Sequence, residues 1–281
     1  EESASVKKAG DSFILENSKI RLVVDSSGRI SSLVTLSNNR DAIAKGFPAN
    51  EFQLHNDNPT LWDAWDVDIH YKKSKEVLDK LDSLVSGEGT DGEVWVESTR
   101  SISSKGRDRS TISQRITLRP SADDVELDLK IDWHESEKFL KLAFPIDIHS
   151  EQVAAETQFG HVWRPTHTNT SWDYARFETC QHRFVYLKEN DWGVAIANDS
   201  TFGYDVERTT EANGVTITNL RFSLLRATHF PDPEADQGMH TMRFRIRPGA
   251  QIQDAVNLGF ETNLPPREII GNQQLPPLIQ S

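Results

Sequence analysis

Val125-Glu-Leu-Asp-Leu-Lys-Ile-Asp-Trp133 sets apolar Val125, Leu127, Leu129 and Ile131 against polar Glu126, Asp128, Lys130 and Asp132 with a period of two. A strand points successive side chains to opposite faces, so this pattern makes one apolar face and one wet face, as an antiparallel sheet requires. A helix would scatter both sets around its circumference. The same period recurs in Val94 and Val96 and in Ile112, Ile116 and Leu118. It returns in Leu140, Leu142, Phe144, Ile146 and Ile148. Pro145 inside that last run removes a ladder N–H, which predicts an edge or a bulge.

Working outward, Ile20, Leu22 and Val24 alternate and lead through Asp25-Ser-Ser-Gly-Arg29 into Ile30-Ser-Ser-Leu-Val34, a hairpin signature. Residues 39–68 carry Gly, Pro, Asn and Asp between short apolar pieces and read as one long functional loop. Residues 76–85 fit a helical face nearly as well as an extended one. Downstream, residues 192–198, 215–218, 221–225 and 241–247 continue as strands. Residues 250–258 read as the one helix, with Ile252, Ala255 and Val256 on a shared face and Gly259 as its cap. More than a dozen short strands with almost no helix predict an all-β sandwich of two large sheets. The expected division is a loose N-terminal segment over 1–11, one sandwich domain over 12–263, and a Pro-rich linker tail over 264–281.

Composition narrows the function. The 281 residues are 36% hydrophobic with no apolar run of the length a membrane helix needs, so no membrane is expected as partner. A net charge of -12 argues against a nucleic-acid surface, which needs clustered Lys and Arg. Cys180 is the only cysteine, so neither an intrachain disulfide nor a cysteine metal cluster forms. The N-terminal EESASVKKAG has no apolar core of a signal peptide, and a cytoplasmic setting is expected.

Chemistry concentrates in three places. Residues 158–206 pack Trp, His, Arg, Asp, Asn and Tyr together, which suits sugar recognition, because a ring face covers the C–H side of a pyranose while planar groups bond its hydroxyls. They equally suit a wet turn with Trp and Tyr half-buried. Arg164-Pro165 sets a cation before a fixed φ. His161, His167 and His182 lack the spacing of metal ligands, so hydrogen bonding to the fold is their expected role. The second place is Trp62-Asp-Ala-Trp-Asp66. A glycosidase needs two carboxyl groups across the scissile bond, and Asp63, Asp66 and Asp68 are candidates, although loop acids more often cap turns. The third is Arg226 with the acidic loop after it, where Asp236 could accept sugar hydroxyls, or Pro231 and Pro233 could simply build a rigid turn. No nucleophile elbow, P-loop or dinucleotide fingerprint is present.

At 62–66 (WDAWD), 158–178 (QFGHVWRPTHTNTSWDYARFE) and 224–238 (LLRATHFPDPEADQG), the chain resembles the C-terminal β-domain of glycoside hydrolase family thirty-eight α-mannosidases, most like the cytosolic and bacterial branch. The similarity runs over nearly the whole chain. It implies a large antiparallel β-supersandwich similar to galactose mutarotase, and hence a strand in 76–85. It also implies that the zinc ligands, nucleophile and acid/base residue of this retaining enzyme lie upstream, in a barrel and a helical bundle of the same polypeptide. No catalytic residue, metal ligand or cofactor is then expected in these 281 residues, which would be inactive alone. The resemblance gives Trp62, Asp63, Trp65 and Asp66 a role lining the mannoside pocket, with Arg226 and Asp236 beside them. Trp163 and Cys180 depart from the family's pattern without threatening it. Two other classes fit less of the sequence. One is an autonomous carbohydrate-binding module. The other is a self-sufficient mutarotase-type enzyme, which needs a His and a carboxylate converging in a cleft, and no motif supplies them.

Overall fold

The fold was obtained as a computed structural model that describes residues 3–102, 109–211 and 214–264. Every paired strand is antiparallel to its neighbours, and the strands form three sheets. Five N-terminal strands follow one another in a meander: Ser5–Ala9, Ser12–Glu16, Ile20–Val24, Ile30–Thr35 and Arg40–Asp41. A nine-stranded sheet runs in the order Gly160–Pro165, Gln152–Thr157, Phe184–Glu189, Trp192–Asn198, Gly238–Pro248, Val125–Trp133, Ser110–Leu118, Val94–Ile102, Ser83–Glu88. A six-stranded sheet runs Thr179–Cys180, Gly203–Thr210, Thr216–Leu225, Lys138–Ile146, Glu51–Asn56, Glu76–Val77. One apolar cluster draws on all three, from Leu22 and Leu33 through Leu127, Ile131 and Phe244 to Phe144 and Phe222. The fold is thus the expected all-β supersandwich, with a third sheet where two were expected.

The alternation of Val125–Trp133 is realised as read. Leu127, Leu129 and Ile131 are buried, while the other face carries Asp128 opposite Arg243 across the ladder, their side chains 2.8 Å apart. Such cross-strand pairs contribute a few tenths of a kcal/mol to about 1 kcal/mol each. Pro145 lies past Ala143, where pairing with Glu51–Asn56 ends, so it does occupy a local edge.

Several expectations need correction. Residues 5–9 are not loose: Gly10, at φ 63°, turns them onto Ser12–Glu16, and exposed Lys7 and Lys8 mark an edge strand. The segment 39–68 is not one loop, since Glu51–Asn56 lies inside it. Phe52 and Leu54 face the core while Gln53 and His55 are buried on the opposite face, which hides the alternation. Residues 76–85 divide between Glu76–Val77 and the start of Ser83–Glu88, extended at both ends. The Pro-rich tail from 265 onward lies outside the described residues.

The C-terminal helix spans Ile252–Asn263 and runs through Gly259 instead of stopping there. Its start is fixed by a capping box, with the Gln251 N–H donating to Asp254 Oδ2 at 2.7 Å. A Cβ on Gly259 would sit 3.2 Å from both Arg183 Cβ and Phe184 Cδ1, so this glycine permits close packing of helix on sheet. Beneath the helix lie Ala154, Phe184, Tyr186, Ala195 and Ala197, the alternate residues of strands whose other faces enter the main core. All seven residues of Trp192–Asn198 are buried for that reason.

Candidate functional site

Topology brings two of the sequence-predicted segments together. Glu51–Asn56 and Thr216–Leu225 flank Lys138–Ile146 antiparallel on either side, so both run the same way and both exit at one end of the sheet. The loops that follow, 57–68 and 226–237, meet over the start of the central strand. Glu137 bridges them there: its carbonyl accepts from the Asp57 N–H at 2.9 Å and its N–H donates to the Ala227 carbonyl at 2.8 Å.

Arg226 stands between the loops. Its Nε donates to Asp57 Oδ2 at 2.6 Å and its Nη2 to Asp57 Oδ1 at 3.1 Å. The same Nη2 reaches the carbonyls of Asp63 at 3.1 Å and Asp66 at 2.6 Å. Burial pushes the Asp57 carboxyl up from its ordinary range, and the Arg226 hydrogen bond and charge oppose that rise. Asp63 Oδ2 accepts from the backbone N–H groups of His229 at 2.7 Å and Phe230 at 2.9 Å. Asp236 Oδ2 accepts from the N–H groups of Arg226 and Ala227, both at 3.0 Å. Asp68 binds Thr60 through its hydroxyl at 2.8 Å and its N–H at 2.9 Å, which holds its carboxyl below the usual range. Three candidates, Asp63, Arg226 and Asp236, are therefore engaged in fixing the loops.

The remaining three face solvent. Trp62 and Trp65 are 65% and 64% exposed, and Asp66 is exposed on the same turn, whose Trp65 and Asp66 N–H groups both donate to the Trp62 carbonyl at 2.8 Å. Phe230, 62% exposed, tilts against Trp65 with ring centroids 6.3 Å apart. All six predicted residues thus share one tip. Sequence reasoning missed Asp57 and Phe230 as members of it. A carboxylate set among Asn56 and Asn58 gives no hint of its arginine, and only the Phe-Pro step marked the second.

Behind the tip lies a buried ionic cluster that the sequence did not announce. Lys141, fully buried at the centre of the six-stranded sheet, contacts Asp205 Oδ2 at 2.5 Å and also pairs with Glu178. Arg221 donates to Asp205 Oδ1 through Nη2 at 2.6 Å and Nε at 3.0 Å. Burial pushes Asp205 up, but Lys141 and Arg221 more than offset it and hold the carboxyl below its ordinary value. Tyr71 OH donates to Glu178 Oε1 at 2.5 Å, and the Tyr71 carbonyl accepts from His55 Nδ1 at 3.1 Å. The three predicted structural histidines lie apart from this cluster. His161 meets Trp163 edge-on, His167 stands 3.7 Å from Asp173, and His182 meets Phe202 edge-on. Among the described residues no three His, Cys, Asp or Glu come together to hold a metal ion. The described residues therefore offer no donor set that fits zinc.

This fold and motif set define a glycoside hydrolase accessory domain. The profile described as Glycosyl hydrolases family 38 C-terminal domain matches residues 15–234, and the chain belongs to that family. Human Alpha-mannosidase 2C1 is 38% identical over 266 residues, 92% of this chain and 24% of the relative. The Alpha-mannosidase of Saccharomyces cerevisiae is 32% identical over 276 residues, 93% of this chain and 24% of the relative. The chain thus spans about a quarter of the length of these curated relatives. An α-mannosidase from Enterococcus faecalis V583 shares the fold with a TM-score of 0.69 at 14% identity, covering 90% of this chain and 31% of that one. Mutarotase-like folds are also among the structural neighbours.

Proposed function

We propose that this chain is the accessory β-sandwich of a retaining, zinc-dependent α-mannosidase that removes terminal α-mannosides in the cytoplasm. In this reading it packs on the catalytic and helical domains upstream in the same polypeptide and lends the tip at 62–66 to the rim of the sugar pocket. The zinc and the reacting groups belong to those upstream domains. The observation that carries the reading is the contrast within the tip. Buried Asp57, half-buried Arg226 and Asp63, and exposed Asp236 tie two loops together through hydrogen bonds, yet Trp62, Trp65 and Phe230 stay exposed. Large indoles held out by a stiff scaffold suit a neighbouring domain or a pyranose face. Asp66 is the tip carboxylate left to accept a sugar hydroxyl.

The test uses the full-length enzyme. Asp66→Asn is expected to lower kcat/KM about 10 to 100-fold, the effect of losing one charge-assisted hydrogen bond of about 1.5–3 kcal/mol. Melting temperature should not move. Unchanged kcat/KM in both Asp66→Asn and Trp62→Ala would end the pocket reading. Mannose binding by this chain alone, tighter than about 1 mM or roughly -4 kcal/mol, would favour an autonomous binding module instead.

A further inference from the structure

The aromatic and basic stretch 158–206 lies in neither tip loop, and part of it closes a separate cavity of about 340 Å³. One wall is the 3-10 turn Ile69–Ser74. The other is the connection from the strand Gly160–Pro165 through the short helix Ser171–Ala175 to Thr179–Cys180. Its size falls at the lower end of the range that holds small ligands, about 300–1,000 Å³.

The charge inside opposes that of the whole molecule. Lys72, Lys73, Arg164 and Arg176 line the cavity against Asp173 and Glu207, in a chain of net charge -12. Glu207 pairs with Lys72 at 3.6 Å, whereas Asp173 accepts from the neutral Thr170 Oγ1 at 2.7 Å with His167 3.7 Å away and keeps its charge. Arg164 is anchored by the Cys180 carbonyl at 3.2 Å and the buried Tyr204 hydroxyl at 3.3 Å, neutral partners that fix the guanidinium without cancelling its charge. Lys73, Arg164 and Arg176 have no carboxylate partner among the described residues. Tyr174 and Phe177 supply ring surface beside them.

These three cations outnumber Asp173, the one lining carboxylate without a Lys or Arg partner, so the cavity carries an excess of positive charge that a neutral mannoside would leave unanswered. A phosphate group accepts hydrogen bonds from several Arg and Lys at once, and rings cover the C–H side of a pyranose. We propose that this cavity binds a sugar phosphate, its phosphate among Lys73, Arg164 and Arg176 and its pyranose against Tyr174 and Phe177. The site is distinct from the loop tip and does not depend on the role given to it.

Isothermal titration of this chain with mannose 6-phosphate, mannose and inorganic phosphate, at low and high salt, tests the proposal. Mannose 6-phosphate is expected to bind saturably, to weaken at high salt, and to bind at least about tenfold tighter than either fragment. Lys73→Ala/Arg176→Ala changes two exposed side chains, so it should keep the melting temperature and weaken binding at least about tenfold. Lys45→Ala, an exposed cation elsewhere, should bind as the parent does. Absence of saturable binding, equal affinity for inorganic phosphate or mannose, or full affinity in the double variant would each overturn it.

Discussion

Arg226 and Asp57, 169 residues apart in sequence, meet two-on-two, with Nε–Oδ2 2.6 Å and Nη2–Oδ1 3.1 Å. Asp57 is 1% exposed, so its charge depends on that guanidinium. Arg226→Ala would strand a buried carboxylate and release the carbonyls of Asp63 and Asp66. We expect a loss of about 3–5 kcal/mol in urea unfolding. Asp57→Ala/Arg226→Ala should lose less than the sum of the two single changes, because it removes the stranded charge. A loss under about 1 kcal/mol for Arg226→Ala would show that the loops are held by something else.

Asp63 and Asp66 sit three residues apart and should respond oppositely. Asp63 Oδ2 takes two backbone N–H groups of the facing loop, so Asp63→Ala should cost about 1.5–3 kcal/mol of stability. Asp66 is exposed, and Asp66→Asn should stay within about 0.5 kcal/mol. Thermal melts of the two variants side by side check this, and equal shifts would contradict the division of labour between them.

The difference between Val125–Trp133 and Glu51–Asn56 shows what the sequence made legible. The first buries one face, so its period survives in the residue types. The second buries both, and its inner polar residues Gln53 and His55 look like loop residues until Tyr71 covers His55. Local patterning likewise identified the tip residues Trp62 to Asp66 and the acidic loop after Arg226. It could not say that Arg226 and Asp236 hold the loops, since their partners come from strand order. Lys73 carried no motif at all, and only folding gathers it beside Arg164 and Arg176 of the 158–178 stretch.

The Lys141, Asp205 and Arg221 cluster makes a third prediction. Asp205→Asn would leave two buried cations facing each other with Glu178 as the remaining nearby carboxylate. Breaking such a cluster costs about 3–5 kcal/mol. Asp205→Asn should therefore melt well below the parent, whereas Glu207→Gln, at the exposed rim, should melt within a degree or two of it, as surface changes do. Equal melting of parent and Asp205→Asn would refute a structural role for the cluster.

His55 supplies a pH dependence whose sign is fixed. Burial lowers its pKa to about 4 from 6.5, mainly by excluding water, with Arg221 and Lys141 disfavouring a further positive charge. Between those two values the unfolded chain takes up a proton that the folded chain refuses. Stability from this group is thus complete above about pH 6.5 and falls as pH drops toward 4, by up to about 3 kcal/mol. Unfolding free energies across that window, compared between the parent and His55→Gln, isolate the effect. Identical slopes would remove His55 as its source.

The helix Ile252–Asn263 lies over a sheet face made of Ala154, Phe184, Tyr186, Ala195 and Ala197. Those strands leave the ribosome about fifty to a hundred residues ahead of the segment that will cover them. At a synthesis rate of about 5–20 residues per second, parts of the face wait on the order of 3 to 20 seconds without their cover. The nascent chain therefore has a window in which a sticky surface is offered to chaperones or to a sister chain, and it closes only when Ile252–Asn263 emerges.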